Sequence, residues 1–202
     1  HNDQANHNYD LSDLWNALAA HNLPAVCYVK APPSQTGHAG DSSPSCEQQF
    51  LVETLNRLQQ SPEWKDMAVF ITYDDSDGWY DHQAPPVVNT SSSTADPGFI
   101  RESSNPAMGG YEARAGYGPR MPFLVISPYA RNNYVDHGIT DQTSILRFVE
   151  DNWDLGRIGD SSFDVLAGSI RPMFDFDDTP RRDQLLLDPV TGQPLGGVHG
   201  GI

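Results

Sequence analysis

Four aspartates and a histidine crowd the run Tyr73-Asp74-Asp75-Ser76-Asp77-Gly78-Trp79-Tyr80-Asp81-His82. If adjacent Asp74 and Asp75 both stay ionised in a shared pocket, they repel each other unless a cation or hydrogen-bond donors compensate them. A divalent metal is the economical compensation, and it suits metal-assisted hydrolysis, in which the ion polarises the bond under attack. Neighbouring side chains of a regular strand point to opposite faces, so both carboxylates reach one ion only where a strand gives way to a loop. Ser76, Asp77 and Gly78 supply that break. The bland alternative is a solvated acidic turn, and the apolar run that precedes the pair argues against it. A calcium loop of the EF-hand type fails at both ends. Setting Gly78 at its glycine puts Tyr73 at the first ligand position and Ala84 where a bidentate glutamate belongs.

His38, in Gly37-His38-Ala39-Gly40, is the other candidate for chemistry. Its imidazolium could bind a phosphoryl oxygen or protonate a leaving alkoxide. Asp81 is a candidate to orient His82 from behind the site. For His82 and His137 a structural bond to a turn carbonyl is at least as good an account, and His1, His7, His21 and His199 read as surface residues.

The elements that must position these groups follow from periodicity. Met67, Ala68, Val69, Phe70, Ile71 and Thr72 form a short apolar, β-preferring run that reads as a buried strand, with the acids at its carboxyl end. Ligands of open α/β sheets bind at that end. Residues 25–30, with Val26, Cys27, Tyr28 and Val29, predict an earlier strand that Pro32 and Pro33 stop. In a parallel sheet that strand would carry His38 to the same rim as Asp74. Pro122 to Pro128 predicts a further strand through Phe123, Leu124, Val125 and Ile126.

Three helices are predicted between them. Asp10 caps one with Leu11, Leu14, Trp15 and Leu18 on one face, ended at Asn22-Leu23-Pro24. Ser45 and Gln48 make a capping-box pattern for a second, which gathers Leu51, Leu55 and Leu58 and stops at Ser61-Pro62. Asp141 opens a third that turns Ile145, Leu146, Val149 and Trp153 inward. Alternating apolar strands and amphipathic helices predict an α/β fold, with a mixed, mostly parallel sheet covered by helices on both faces. Residues 1–174 would be part of one such domain, with a loop insertion at 83–120 rich in Pro, Ser, Gly and Asn, and 175–202 an irregular tail.

Composition narrows the partners. The 202 residues carry 27 acidic against 12 basic side chains, a formal charge of −15 that repels nucleic acid and anionic lipid at long range. No stretch approaches the roughly 20 apolar residues of a transmembrane segment. Cys27 and Cys46 allow a disulfide in an oxidising compartment, against an ordinary core-thiol account of Cys27. Asn89-Thr90-Ser91 matches a glycosylation sequon. The polar start at His1, without methionine, reads as the interior of a longer protein of which this is the C-terminal portion.

Three ordered motifs then meet a family pattern. Residues 71–82, Tyr28-Val29-Lys30-Ala31-Pro32 with Gly37-His38-Ala39-Gly40, and residues 122–128 with Val135-Asp136-His137 and Thr143-Ser144-Ile145-Leu146-Arg147-Phe148 resemble the bacterial phospholipase C and acid phosphatase phosphoesterases. The resemblance spans roughly residues 5–165. It implies an alkaline-phosphatase-like fold, export to a secreted or periplasmic location, and one divalent metal ion. It implies hydrolysis of a phosphate monoester or phospholipid through a phosphoenzyme. Asp74 and Asp75 match the family's paired metal ligands, and His38 matches a histidine that contacts the phosphoryl group.

The family's Glu-Asn ligand pair and its Ser or Thr nucleophile have no counterpart here, so the N-terminal remainder of the same protein is the expected partner. Two carboxylates do not fill the roughly six-oxygen sphere of a hard cation. Residues 1–202 alone are therefore expected neither to hold metal tightly nor to turn over an ester. Trp79 and Tyr80 could offer a choline headgroup aromatic faces, although at least one of them is expected in the core. The competing expectation is an extracellular calcium-stabilised binding domain, with Asp74, Asp75 and Asp77 around a structural ion.

Overall fold

The computed structural model describes residues 7–86, 100–101, 112–113, 117–159 and 162–196. The chain divides into two compact units, one formed by residues 1–68 and 179–202 and the other by residues 69–178.

The first unit is helical. α1 (Leu11–Ala19) starts where the Asp10 N–H donates to the Asp13 carboxylate at 3.0 Å, and buries Leu18. His21, with φ of 54°, lies just beyond its end. α2 (Pro44–Gln59) is capped by Ser43 and not by Ser45. The Ser43 hydroxyl accepts from the Cys46 N–H at 3.4 Å. Pro44 explains the shift, because a proline with no N–H and a preset φ belongs at the first helical position. Arg57 lies over the Trp15 ring at 4.3 Å, and Val52 and Trp64 are buried.

The α2 face that buries Val52 also presents amides. Asn56 exchanges two hydrogen bonds with the Leu187 main chain, at 2.7 and 3.0 Å, and Gln59 does the same with Leu185 at 3.0 Å. Gln48 donates to the Pro189 and Val190 carbonyls. Residues 185–190, expected to be irregular, run along the helix because its side chains satisfy their backbone as a neighbouring strand would.

Residues 25–30 form no strand. Val26, Tyr28 and Val29 are all exposed, and no ladder partner appears among the described residues. β propensity is realised only against a neighbouring strand. The two cysteines that could have bridged are free thiols with local partners. The Cys27 thiol donates to the Pro24 carbonyl at 3.6 Å, and the Cys46 sulfur accepts from the Ser43 hydroxyl at 3.2 Å.

The second unit holds the expected apolar strands, β1 (Val69–Thr72) and β4 (Phe123–Ile126), and α3 (Thr143–Trp153). β1 and β4 pair antiparallel, with Val69 opposite Ile126 and Thr72 opposite Phe123. The expected parallel sheet is not what the described residues form. A parallel pair needs a crossover, whereas the excursion joining β1 to β4 brings the chain back reversed. Within that excursion β2 (Ile100–Arg101) and β3 (Glu112–Ala113) make a second antiparallel pair, where no regular structure was predicted. Most of the remaining insertion, with the Asn89 sequon, lies outside the described residues.

An aromatic cluster packs the sheet against α3. The Phe70 ring meets Phe123, Phe148 and Phe174 at centroid distances of 6.1, 5.3 and 6.2 Å, and Phe148 stacks on Phe174 at 5.0 Å. Such pairs add about 0.5–1.5 kcal/mol each beyond the area they bury. Trp153, expected inward, is exposed at the end of α3. The buried positions of that helix are Ser144 and Glu150.

Candidate functional site

β1 delivers its acids as expected and stops abruptly. Among the described residues the ladder ends at Thr72 opposite Phe123, and the carbonyls just beyond it take side-chain donors. Gln142 supplies both bonds. Its side-chain amide donates to the Tyr73 carbonyl at 2.9 Å and to the Asp74 carbonyl at 2.8 Å.

Beyond Asp74 the chain turns tightly. The Asp75 carboxylate accepts from the Asp77 N–H at 2.6 Å, and the Trp79 N–H donates to the Ser76 carbonyl at 2.9 Å. Asp77 and Gly78 both take left-handed backbone, with φ of 49° and 74°. Two such residues in sequence are what a type I′ turn needs, and Asp-Gly is a favoured pair for it. A Cβ on Gly78 would meet nothing within 4 Å, so the glycine answers to the torsion and not to crowding.

Asp74 and Asp75 both stand on the exposed rim of this turn. Carboxylate oxygens suit a hard divalent cation. One Asp75 oxygen is already taken by Asp77, and among the described residues no group of three or more His, Cys, Asp or Glu side chains is arranged to hold a metal. The donor chemistry fits such an ion and the donor number does not complete it.

Asp81 has a different task from the one expected. Its carboxylate accepts from the Arg120 backbone N–H at 2.8 Å, from Arg120 Nε at 3.0 Å and from Arg120 Nη2 at 2.8 Å, and from the Gln83 N–H at 3.0 Å. The Arg120 guanidinium and N–H hold the Asp81 carboxyl far below the usual aspartate range. Asp81 thus clamps the two feet of the excursion together, and His82 instead meets the Tyr80 ring edge-on at 5.2 Å. Trp79 and Tyr80 are both exposed, at 77% and 82%, so neither is a core residue. They lie in the turn-and-clamp segment, whose main chain is spent on the tight turn.

His38 belongs to the first unit. Its Nδ1 lies 3.5 Å from the Asp41 carboxylate, and its backbone N–H donates to the Thr36 hydroxyl at 3.2 Å. The strand expected to carry it to the β1 rim is absent, and its loop is instead fixed by the turn that leads into α2. His137 is exposed in the loop before α3. A cavity of about 340 Å³ in the second unit, lined by Arg131, Ser169, Arg171, Phe174 and Phe176, includes none of the predicted site residues.

Asp141 stands at the start of α3 as expected, but the partners gathered around it were not foreseen. Asp141 Oδ1 accepts from both the Thr143 N–H at 2.7 Å and the Thr143 hydroxyl at 2.5 Å, while the Asp141 N–H donates to Ser144 Oγ at 3.0 Å. Burial, and then the Asp141 carboxylate beside it, push the Tyr117 hydroxyl up to about 12. Tyr117 is on the returning foot of the excursion, where its N–H reaches the Pro86 carbonyl. The Asp-x-Thr spacing was a usable signal for the cap; Gln142, an exposed polar residue, gave none.

The comparisons with known proteins agree with the motifs. The Phosphoesterase family model matches residues 1–156, and the chain belongs to that family. It is 28% identical over 210 residues to a non-hemolytic phospholipase C of Pseudomonas aeruginosa, covering 90% of this chain and 29% of that protein. It is 36% identical to a non-hemolytic phospholipase C of Burkholderia pseudomallei over 63% of this chain and 19% of that one. Against non-specific phospholipase C1 of Arabidopsis thaliana it is 32% identical over 72% of this chain and 28% of that one. The chain therefore spans less than a third of the length of these relatives.

Proposed function

We propose that the protein containing this chain is a phosphoric ester hydrolase of phospholipase C or acid phosphatase type, exported to a secreted or periplasmic location. The observation that carries this is the paired Asp74 and Asp75 at the end of β1, in a turn fixed by Gln142 and by Asp77-Gly78, in a member of the phosphoesterase family. Relatives named as phospholipases C support a phospholipid or a related phosphate ester as the substrate.

Asp74 and Asp75 are assigned to hold one divalent metal ion, which when bound would neutralise charge on the transferring phosphoryl group. The backbone that carries both carboxylates is fixed before any ligand arrives, by the Gln142 amide at its entry and the Asp77-Gly78 torsions at its exit. His38, within Gly37-His38-Ala39-Gly40, is assigned to donate a hydrogen bond to a phosphoryl oxygen. The nucleophile that forms the phosphoenzyme, and the remaining metal ligands, are assigned to sequence outside residues 1–202. The relatives' greater length leaves ample room for them.

Full-length protein should hydrolyse a chromogenic phosphomonoester or phosphatidylcholine, and Asp74→Ala should lower that hydrolysis by roughly 10²–10³-fold without unfolding the protein. An inactive wild type that unfolds on chelation would replace this assignment with a calcium-stabilised binding domain.

A further inference from the structure

We infer that Gln142 is a positioning residue for the Asp74–Asp75 turn, an inference that rests on the proposed hydrolase function. The two carbonyls it binds belong to Tyr73 and Asp74, the first residues past the β1–β4 ladder and the last before Asp75. A primary amide carries two N–H donors on one nitrogen and can serve two neighbouring carbonyls, whereas a carboxylate in its place would only repel them.

Gln142 is itself held. It immediately precedes α3, in helical backbone with φ of −61° and ψ of −27°. Its neighbour Asp141 is tied to Thr143 and Ser144 by three hydrogen bonds. The chain of constraint runs from a helix start through one side chain to the backbone that aims Asp74. Gln142 is exposed and packs into no core, so its conspicuous work is the pair of bonds. At the other end of the turn, Asp77 and Gly78 fix the exit by their torsions. Loss of Gln142 removes two ties at the entry and leaves the exit torsions at Asp77 and Gly78 in place.

The test uses full-length protein carrying Gln142→Met, which keeps length and removes both donors, Gln142→Asn, which keeps donors and loses reach, and Gln142→Lys, which restores donors at full reach. Amide exchange over residues 73–79 should speed up several-fold in the Met and Asn variants, with exchange over Thr143–Trp153 unchanged. Hydrolysis of a chromogenic phosphomonoester should lose roughly ten- to a hundredfold in kcat with KM held within about twofold, because misplaced groups of this kind act on the transition state. The Lys variant should recover slow exchange over residues 73–79, with kcat recovering less because its ammonium stands beside the proposed metal ligands.

Unchanged exchange at 73–79 in the Met variant overturns the inference. So does faster exchange with unaltered kcat, which would make the amide a purely structural tie. A wild type inactive on every ester would overturn the hydrolase assignment and the catalytic meaning of the tie together, while the exchange data would still show whether the tie itself exists.

Discussion

Two of the carboxyl pairs in the second unit are managed in opposite ways. Asp74 and Asp75 are neighbours in sequence, exposed, and separated from the core by a turn whose shape comes from backbone torsion and a borrowed amide. Glu150 and Asp164 come from α3 and a later 3₁₀ turn, and are only 4% and 0% exposed. Asp164 accepts from the Ile158 N–H at 3.0 Å, but its other oxygen is buried with no hydrogen-bond partner among the described residues. Arg157 reaches Glu150 at 3.2 Å and Asp151 at 2.5 Å.

Titration separates the pairs further. Burial first, and then the Asp164 charge, push the Glu150 carboxyl up, while the Ser162 hydroxyl beside Asp164 does most to hold that carboxyl down. Within the buried pair, Glu150 has Arg157 as its counter-charge, and Asp164 has the Ile158 N–H and the Ser162 hydroxyl. The exposed pair instead stands in solvent on a turn, with one Asp75 oxygen on the Asp77 N–H. Acidity alone therefore does not mark a site; burial and the partners each acid meets separate the two pairs.

Breaking the exposed pair should cost function and little else. Asp74→Ala or Asp75→Ala in the full-length protein is expected to lower ester hydrolysis by roughly 10²–10³-fold, the scale of removing one transition-state charge stabiliser. The melting temperature should stay within about 2 °C, since exposed substitutions seldom disturb stability.

Breaking the buried pair should do the reverse. Asp164→Ala strips the Ile158 N–H and the Ser162 hydroxyl of their acceptor at a buried position. A fall of roughly 5–10 °C in melting temperature is expected, with the folded enzyme still active, measured by thermal unfolding beside the ester assay.

Glu150→Gln sharpens the contrast through pH. A carboxyl with a raised folded-state pKa binds its proton more tightly in the fold, so its contribution to stability is full at low pH. That contribution is lost as pH rises from the ordinary glutamate value through the raised one. The variant cannot titrate, so its melting temperature should decline less across that window than the wild type's. An identical slope would show that Glu150 is not the group responsible.

Asp81→Asn should have the smallest effect. It weakens the Arg120 clamp at the feet of the excursion, and limited proteolysis between residues 82 and 119 should quicken a few-fold. In the wild type the depressed Asp81 carboxyl contributes stability above the ordinary aspartate value. That contribution is lost only in solution acidic enough to protonate it in the fold.

Much of this was legible in the chain, for identifiable reasons. Met67 to Thr72 and Pro122 to Pro128 are short apolar runs bounded by breakers, and β1 and β4 fall within them. The three helices follow from periodic leucines and from Asp10 and Asp141 at their starts. Residues 25–30 have equal local β preference and no partner, and a ladder is a property of two segments, which one segment's composition does not reveal. The same holds for the parallel sheet, since the strand pairs among the described residues are antiparallel.

At the site, the acid pair and its Asp-Gly turn were visible because torsion is written locally. Arg120 on Asp81 and Gln142 on Tyr73 were not, since each joins residues far apart in sequence through a side chain on a loop. Asp164 likewise reads as one more surface acid until the fold buries it.

The central claim is that Asp74 and Asp75 hold a divalent cation on which ester hydrolysis depends. Its most direct test is hydrolysis of a chromogenic phosphomonoester by the full-length protein after exhaustive chelation and again after a divalent cation is returned. Activity should disappear and come back, and with Asp74→Asn it should stay absent at every cation concentration. Undiminished hydrolysis in the chelated wild type would contradict the account.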